Sequence, residues 1–121
     1  MEEIENSEKI KDIRERAFAF VVRIVKLNKF LEKQTDVSRS LVRQLTRSGA
    51  SIGANLEEAQ SGQSKPDFIS KNFIALKESR ETNYWLRLIS ETSDFEENVK
   101  KGIENLIQES SEITKIIAAI I

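Results

Sequence analysis

The chain is predicted to be all-α, an antiparallel up-down-up-down four-helix bundle. Three observations carry this. Its 121 residues include one Pro and four Gly, too few turn-formers for an all-β fold, which must reverse direction often. Apolar residues recur at alternating spacings of three and four through most of the chain, the pattern of a buried helical stripe. The polar interruptions are short, so consecutive helices must run antiparallel. The length suits one domain, residues 1–121, able to bury about two-thirds of the surface its unfolded chain exposes.

In the first helix the stripe is Ile10, Ile13, Ala17, Phe20, Ile24, Leu27 and Leu31. Phe18, Val21, Val22 and Val25 widen it and predict burial on more than one side. The polar segment 33–37 breaks the pattern, with Asp36 or Ser38 available to cap the next helix. The second helix carries Leu41, Leu45, Ser48, Ile52, Asn55 or Leu56, and Ala59. Its middle is rich in small residues, with Gly49 and Gly53 four apart. Glycine costs about 1 kcal/mol against Ala inside a helix. Close approach by another helix backbone would justify both glycines; a loop at this point is the competing reading.

Residues 61–67 form the clearest boundary. Gly62 suits the position just past a helix end, Ser64 an N-cap with Asp67 three residues on, and Pro66 a first turn. The third helix then carries Phe68, Ile69, Phe73, Leu76, Ser79, Asn83, Leu86 and Ile89. Ser93 and Glu96 have the spacing of a second capping box. They precede a fourth stripe of Ile103, Leu106, Ser110, Ile113, Ile117 and Ile120. Helices of about 22–28 residues would each be roughly 35–40 Å long.

Two absences narrow the function. Without Cys, disulfide frameworks, zinc ribbons and thiol nucleophiles are excluded. Without His, the chain lacks the usual general base, the Ser-His-Asp arrangement and the Glu-x-x-His ligands of di-iron bundles. No stretch approaches the roughly 20 apolar residues of a membrane span, and the acidic N-terminus does not read as a signal peptide. A cytoplasmic, non-enzymatic protein with no cofactor is expected.

Four sets of residues are candidates for chemistry or contact. Glu57, Glu58, Glu78 and Glu81 could hold Mg²⁺ or Mn²⁺ if they faced inward; a solvated or ion-paired face is the reading preferred, and no metal is expected. Arg39, Arg43 and Arg47 recur every four positions. They form a stripe that can track phosphates or pair with acids at a subunit contact. Tyr84 and Trp85 point about 100° apart on one helix, so only one of them can face deep core; core or subunit packing is the reading preferred, and an exposed ring could be an interface anchor or a stacking partner for a base. Asn55 shares a face with Ile52 and Ala59, where a buried amide would fix helix register.

The formal charge of −1 hides a strong asymmetry. Residues 1–8 carry −4, residues 9–90 carry +7, and residues 91–121 carry −4. A basic surface is therefore compatible with a pI of about 5.7.

Three segments, Gln44–Ala59, Gln63–Phe68 and Ile74–Leu88, together resemble the four-helix-bundle family of 23S rRNA intervening-sequence proteins. The match extends more weakly over Phe18 to Leu31. Its most distinctive element is the small-residue run ending in Ala54-Asn55 and followed by acids. The resemblance implies a ring-like homopentamer, encoded in some bacteria within insertions in large-subunit rRNA genes. Similar bundles serve diversity-generating retroelements, binding nucleic acid and a reverse transcriptase, though those are distinctly basic. No catalytic residues carry over. Gln44, Ser48, Ser51, Ile52, Asn55 and Glu58 are implied to be packing and interface residues, and Gly49, Gly53, Tyr84 and Trp85 join them on the reading of the residues above. Many members have Glu-Gly where this chain has Glu58-Ala59, so no tight turn is required there. The expected function is binding of RNA, or of a nucleic-acid-processing protein, through the Arg39, Arg43 and Arg47 face. The alternative is a scaffold without nucleic-acid contact.

Overall fold

The computed structural model describes residues 2–61 and 64–121. They form four helices, α1 (Glu2–Leu31), α2 (Arg39–Gln60), α3 (Lys65–Thr92) and α4 (Glu97–Ile120). Each helix packs on its neighbours in the order α1–α2–α3–α4–α1, with no close backbone approach across either diagonal among the described residues. Directions follow from the cross-helix pairs. Ile24 meets Gly49 while Val21 meets Gly53, and Ser79 bonds Thr114 while Asn83 bonds Ser110. Both neighbouring pairs are antiparallel, as the short connections require. No helix among the described residues is long and apolar enough to cross a membrane.

The helix ends show which caps operate. Ser38, rather than Asp36, starts α2, its hydroxyl accepting the Leu41 N–H at 3.3 Å. Ser64 starts α3 in the same way, accepting from Asp67 N–H at 3.3 Å, with Pro66 in the first turn. Gly62 lies outside the described residues; α2 closes with the Ser61 N–H donating to the Glu58 carbonyl. The expected Ser93 capping box does not form. Ser93 donates instead to the Asp36 carbonyl at 3.2 Å, and the Asp94 N–H donates to the Asp36 carboxylate at 3.3 Å. These bonds tie the α1–α2 connection to the α3–α4 connection, and α4 begins at Glu96 without a side-chain cap.

The core is built from the predicted stripes. Ile13, Phe20, Ile24, Leu31, Leu45, Ile52, Leu86, Ile103, Ile113 and Ile117 are all buried. Small polar residues interrupt it where α2, α3 and α4 converge. Ser48, Ser79 and Ser110 hydroxyls each donate to a carbonyl three residues back in their own helix. This leaves no hydroxyl there unpaired while letting the helices approach. Across the seam, the Thr82 hydroxyl lies 2.8 Å from Ser48 Oγ.

Residues 48–55 are helical, so the loop reading of the small-residue run falls. A Cβ on Gly49 would stand 3.1 Å from Ile24 Cγ2. The close approach is thus by a branched side chain of α1 rather than by its backbone. Two expectations need correction. Leu56 takes the core position; Asn55 is half-buried and donates within α2 to the Ser51 carbonyl and hydroxyl, at 2.8 and 2.9 Å, so it fixes no register between helices. And α1 is not buried on several sides: Phe18, Val22 and Val25 are exposed. With only α2 and α4 as neighbours, the widened part of its apolar stripe meets no third helix.

Candidate nucleic-acid interface

Arg39, Arg43 and Arg47 stand on successive turns of α2, and all three are exposed. Arg47 is spoken for: Nη1 donates to Glu78 at 3.1 Å, Nη2 to Glu81 at 3.2 Å, and Nε to the Gln44 side-chain oxygen at 2.9 Å. Burial pushes the Glu78 carboxyl above its ordinary value; nearby Glu81 adds to this, and Arg47 only partly opposes it. Burial would raise Glu81 too, but its hydrogen bonds to Arg47 and Glu78 prevail and hold it low. Arg39 and Arg43 make no ion pair among the described residues. They are the part of the stripe open to phosphates.

The carboxylates are placed for ion pairing. Glu57 pairs with Arg14, Glu78 and Glu81 share Arg47, and Glu58 is exposed. Among the described residues no three acidic side chains gather where a cation could sit. A cleft of about 440 Å³ opens at one end of the bundle between Ile10, Phe68, Ile116 and Ile120. Its strongest polar group, Arg16, is committed to Glu109 by two bonds of 2.7 Å. Asp12 is the other charged group on its lining, and a single carboxylate is fewer than the several convergent polar groups that orient a small ligand.

The aromatic pair divides as its helical offset requires. Trp85 is half-buried against the core, while Tyr84 is 49% exposed. Their rings meet edge-on at 5.3 Å, and the Arg87 guanidinium lies 5.7 Å from the Tyr84 ring centre. Phe73, expected on the buried stripe of α3, is 53% exposed. Asn72 occupies the buried position instead, its amide donating to the Phe68 carbonyl at 2.8 Å. Phe73, Lys77, Arg80, Tyr84 and Arg87 are all exposed. Their 4-3-4-3 spacing places them on one face, a regularity that the search for apolar stripes passes over.

Of the remaining predicted contact residues, Gly49 and Gly53 face α1 and Ser48 faces α3. Ser48, Gly49 and Ile52 are buried, and Gln44, Ser51 and Gly53 are partly so. Exposed Ala50 and Ala54 adjoin Phe18 and Val21 across a shallow groove. This leaves an apolar strip on the outside of the α1–α2 pair.

A family model described as 23S rRNA-intervening sequence protein matches residues 9–119. Among solved structures, the chain is similar to a protein with unknown function from the S23 ribosomal protein family of Bacteroides thetaiotaomicron. The two are 40% identical with a TM-score of 0.83, over 93% of this chain and 96% of that one. No curated protein matches the chain.

Proposed function

This chain belongs to the 23S rRNA-intervening sequence protein family. From that premise we propose that it works without catalysis, as a helical bundle that binds RNA through a basic face. One observation carries the reading: Arg39 and Arg43 are exposed, one turn apart, and make no ion pair among the described residues. A free guanidinium offers a planar fork that matches phosphate oxygens, and each phosphate it neutralises releases counterions. The +7 charge of residues 9–90 supplies a favourable local field.

The test is a salt series of RNA-binding titrations on wild type, the double variant Arg39→Gln/Arg43→Gln, and Arg47→Gln. Wild-type affinity should fall as salt rises. The double variant should give a slope in log K against log salt shallower by about one to two. Arg47→Gln should leave the slope nearly unchanged, because its charge is already met by Glu78 and Glu81. A wild type that binds neither RNA nor DNA at low salt rules the reading out.

The apolar strip of Phe18, Val22, Val25, Ala50 and Ala54 favours a second reading, contact with further copies of the chain, for which the family resemblance implies five. Ala50 and Ala54 follow Arg43 by seven and eleven residues and so share its face of α2. In a purely scaffolding protein the arginines would lie between subunits, and the double variant would alter sedimentation without any nucleic-acid binding to lose.

A further inference from the structure

The outward face of α3 is built unlike the rest of the surface. Phe73 and Tyr84 expose about half of their area, 53% and 49%. Lys77 and Arg80 lie between them, and Arg87 one turn beyond. None of the three cations forms an ion pair among the described residues. Phe73 and Tyr84 thus place two aromatic rings on a face otherwise made of cations. Protein interfaces share the enrichment in Tyr, Phe and Arg but are depleted in Lys, so Lys77, exposed and without an ion pair among the described residues, favours an anionic partner. Two flat rings, with two cations between them and a third beyond, suit a polyanion whose units carry flat, apolar faces.

We infer that Phe73, Lys77, Arg80, Tyr84 and Arg87 form a stacking strip for the unpaired bases of a single-stranded nucleic acid. The inference rests on the nucleic-acid reading above but assigns it a second face. The rings present π-surfaces to bases and the cations meet the phosphates, the combination by which single strands are held without sequence preference. Eleven residues separate the rings, roughly 16 Å along the helix axis and about five nucleotides at stacked spacing. Arg87 lies 5.7 Å from the Tyr84 ring centre and donates from Nε to Asn83 Oδ1 at 2.9 Å, which holds its charge beside the ring. Trp85, set edge-on beneath Tyr84 and packed into the bundle, restricts the tyrosine's motion, so less freedom is lost when a base stacks. The strip closes at Glu91, where the same face turns acidic. α3 makes no close backbone approach to α1 among the described residues, so the strip and the Phe18 surface lie on different sides of the bundle.

The discriminating experiment uses the full chain with three labelled probes: a 20-nucleotide oligo(U) RNA, oligo(dT) of the same length, and a 20-base-pair RNA duplex. Phe73→Leu and Tyr84→Leu keep apolar bulk at exposed positions and remove the ring; circular dichroism confirms the fold. Each should weaken binding of both single strands by about fivefold or more, with the salt slope and duplex binding unchanged. Lys77→Gln/Arg80→Gln should instead flatten the single-strand slope by about 1.4. If the ring variants bind single strands as wild type does, while Arg39→Gln/Arg43→Gln loses affinity, the strip is overturned and the proposed function stands. If they bind RNA normally but change the sedimentation coefficient, the face is a protein contact and the inference fails. If wild type binds none of the three probes, both readings fall together.

Discussion

Glu78 is the one charged side chain buried in the core among the described residues, and its titration sets an unusual sign. Burial raises its folded-state pKa above the ordinary 4.5, so between 4.5 and the raised value the folded chain holds a proton that the unfolded chain has lost. Stability from this group is complete below 4.5 and declines as pH rises through the raised value. Glu109 works in the opposite direction. The Arg16 hydrogen bonds hold it below 4.5 against the effect of burial, so its contribution is present above 4.5 and lost as pH falls. Glu78→Gln keeps the side-chain shape, removes the titration, and leaves Arg47 its bonds to Glu81 and Gln44. The variant and wild type should therefore be closest in stability near pH 4, and the variant should gain on wild type as pH approaches 7. Urea unfolding at a series of pH values measures this. A wild-type advantage that widens towards neutral pH would mean that the Arg47 attraction outweighs burial.

Helix α2 and helix α4 carry glycines in three different surroundings, and these separate backbone propensity from packing. Gly102 has nothing within 4 Å of a built Cβ, Gly53 has Val21 Cγ2 at 3.4 Å, and Gly49 has Ile24 Cγ2 at 3.1 Å. Alanine at Gly102 should stabilise by about 1 kcal/mol, the full propensity difference, and alanine at Gly53 should retain most of it. At Gly49 the new methyl presses on Ile24, itself wholly buried, and overpacking of about 1–3 kcal/mol cancels or reverses the gain. Chemical denaturation midpoints should rank Gly102→Ala first and Gly49→Ala last. Gly49 was readable in the sequence as a close-packing site because its cost is local and needs a cause, but the neighbour is the Ile24 side chain rather than a backbone, and Gly53 is not tightly packed. The four stripes and the Ser64 cap were readable for the same reason: period and cap chemistry lie within a few residues. Phe18 and Phe73 were misplaced because a residue at the margin of a stripe is buried only if a neighbouring helix reaches it. Ser93 was misread because its partner, Asp36, is 57 residues away. Arg47 gave no sign of being neutralised, its acids lying 31 and 34 residues along the chain. The aromatic and cationic strip of α3 was visible as spacing, but its meaning depended on exposure.

For the whole molecule, the question is how its surfaces combine. The strip around Phe18 lies on α1 and its seam with α2, while the aromatic and cationic strip lies on α3, diagonally opposite α1. The two strips are therefore separate surfaces of one chain. Single-stranded nucleic acid bridging several copies would then bind with an avidity beyond any single contact, because each later site binds within an already formed complex. Phe18 is 69% exposed, so Phe18→Asp should leave the fold intact, surface substitutions usually changing stability by less than about 0.5 kcal/mol. A charge at the centre of the apolar strip should nonetheless disperse the oligomer. Sedimentation velocity should show wild type as a multiple of the 13.8 kDa chain and Phe18→Asp as the single chain, with unchanged circular dichroism. The variant should bind a short oligo(U) covering one strip as wild type does, and lose affinity, by about tenfold or more, only for strands long enough to span several copies. A wild type that sediments as one chain at micromolar concentration would remove self-association and the avidity argument together. Equal loss on short and long strands would place the Phe18 surface in direct contact with the nucleic acid.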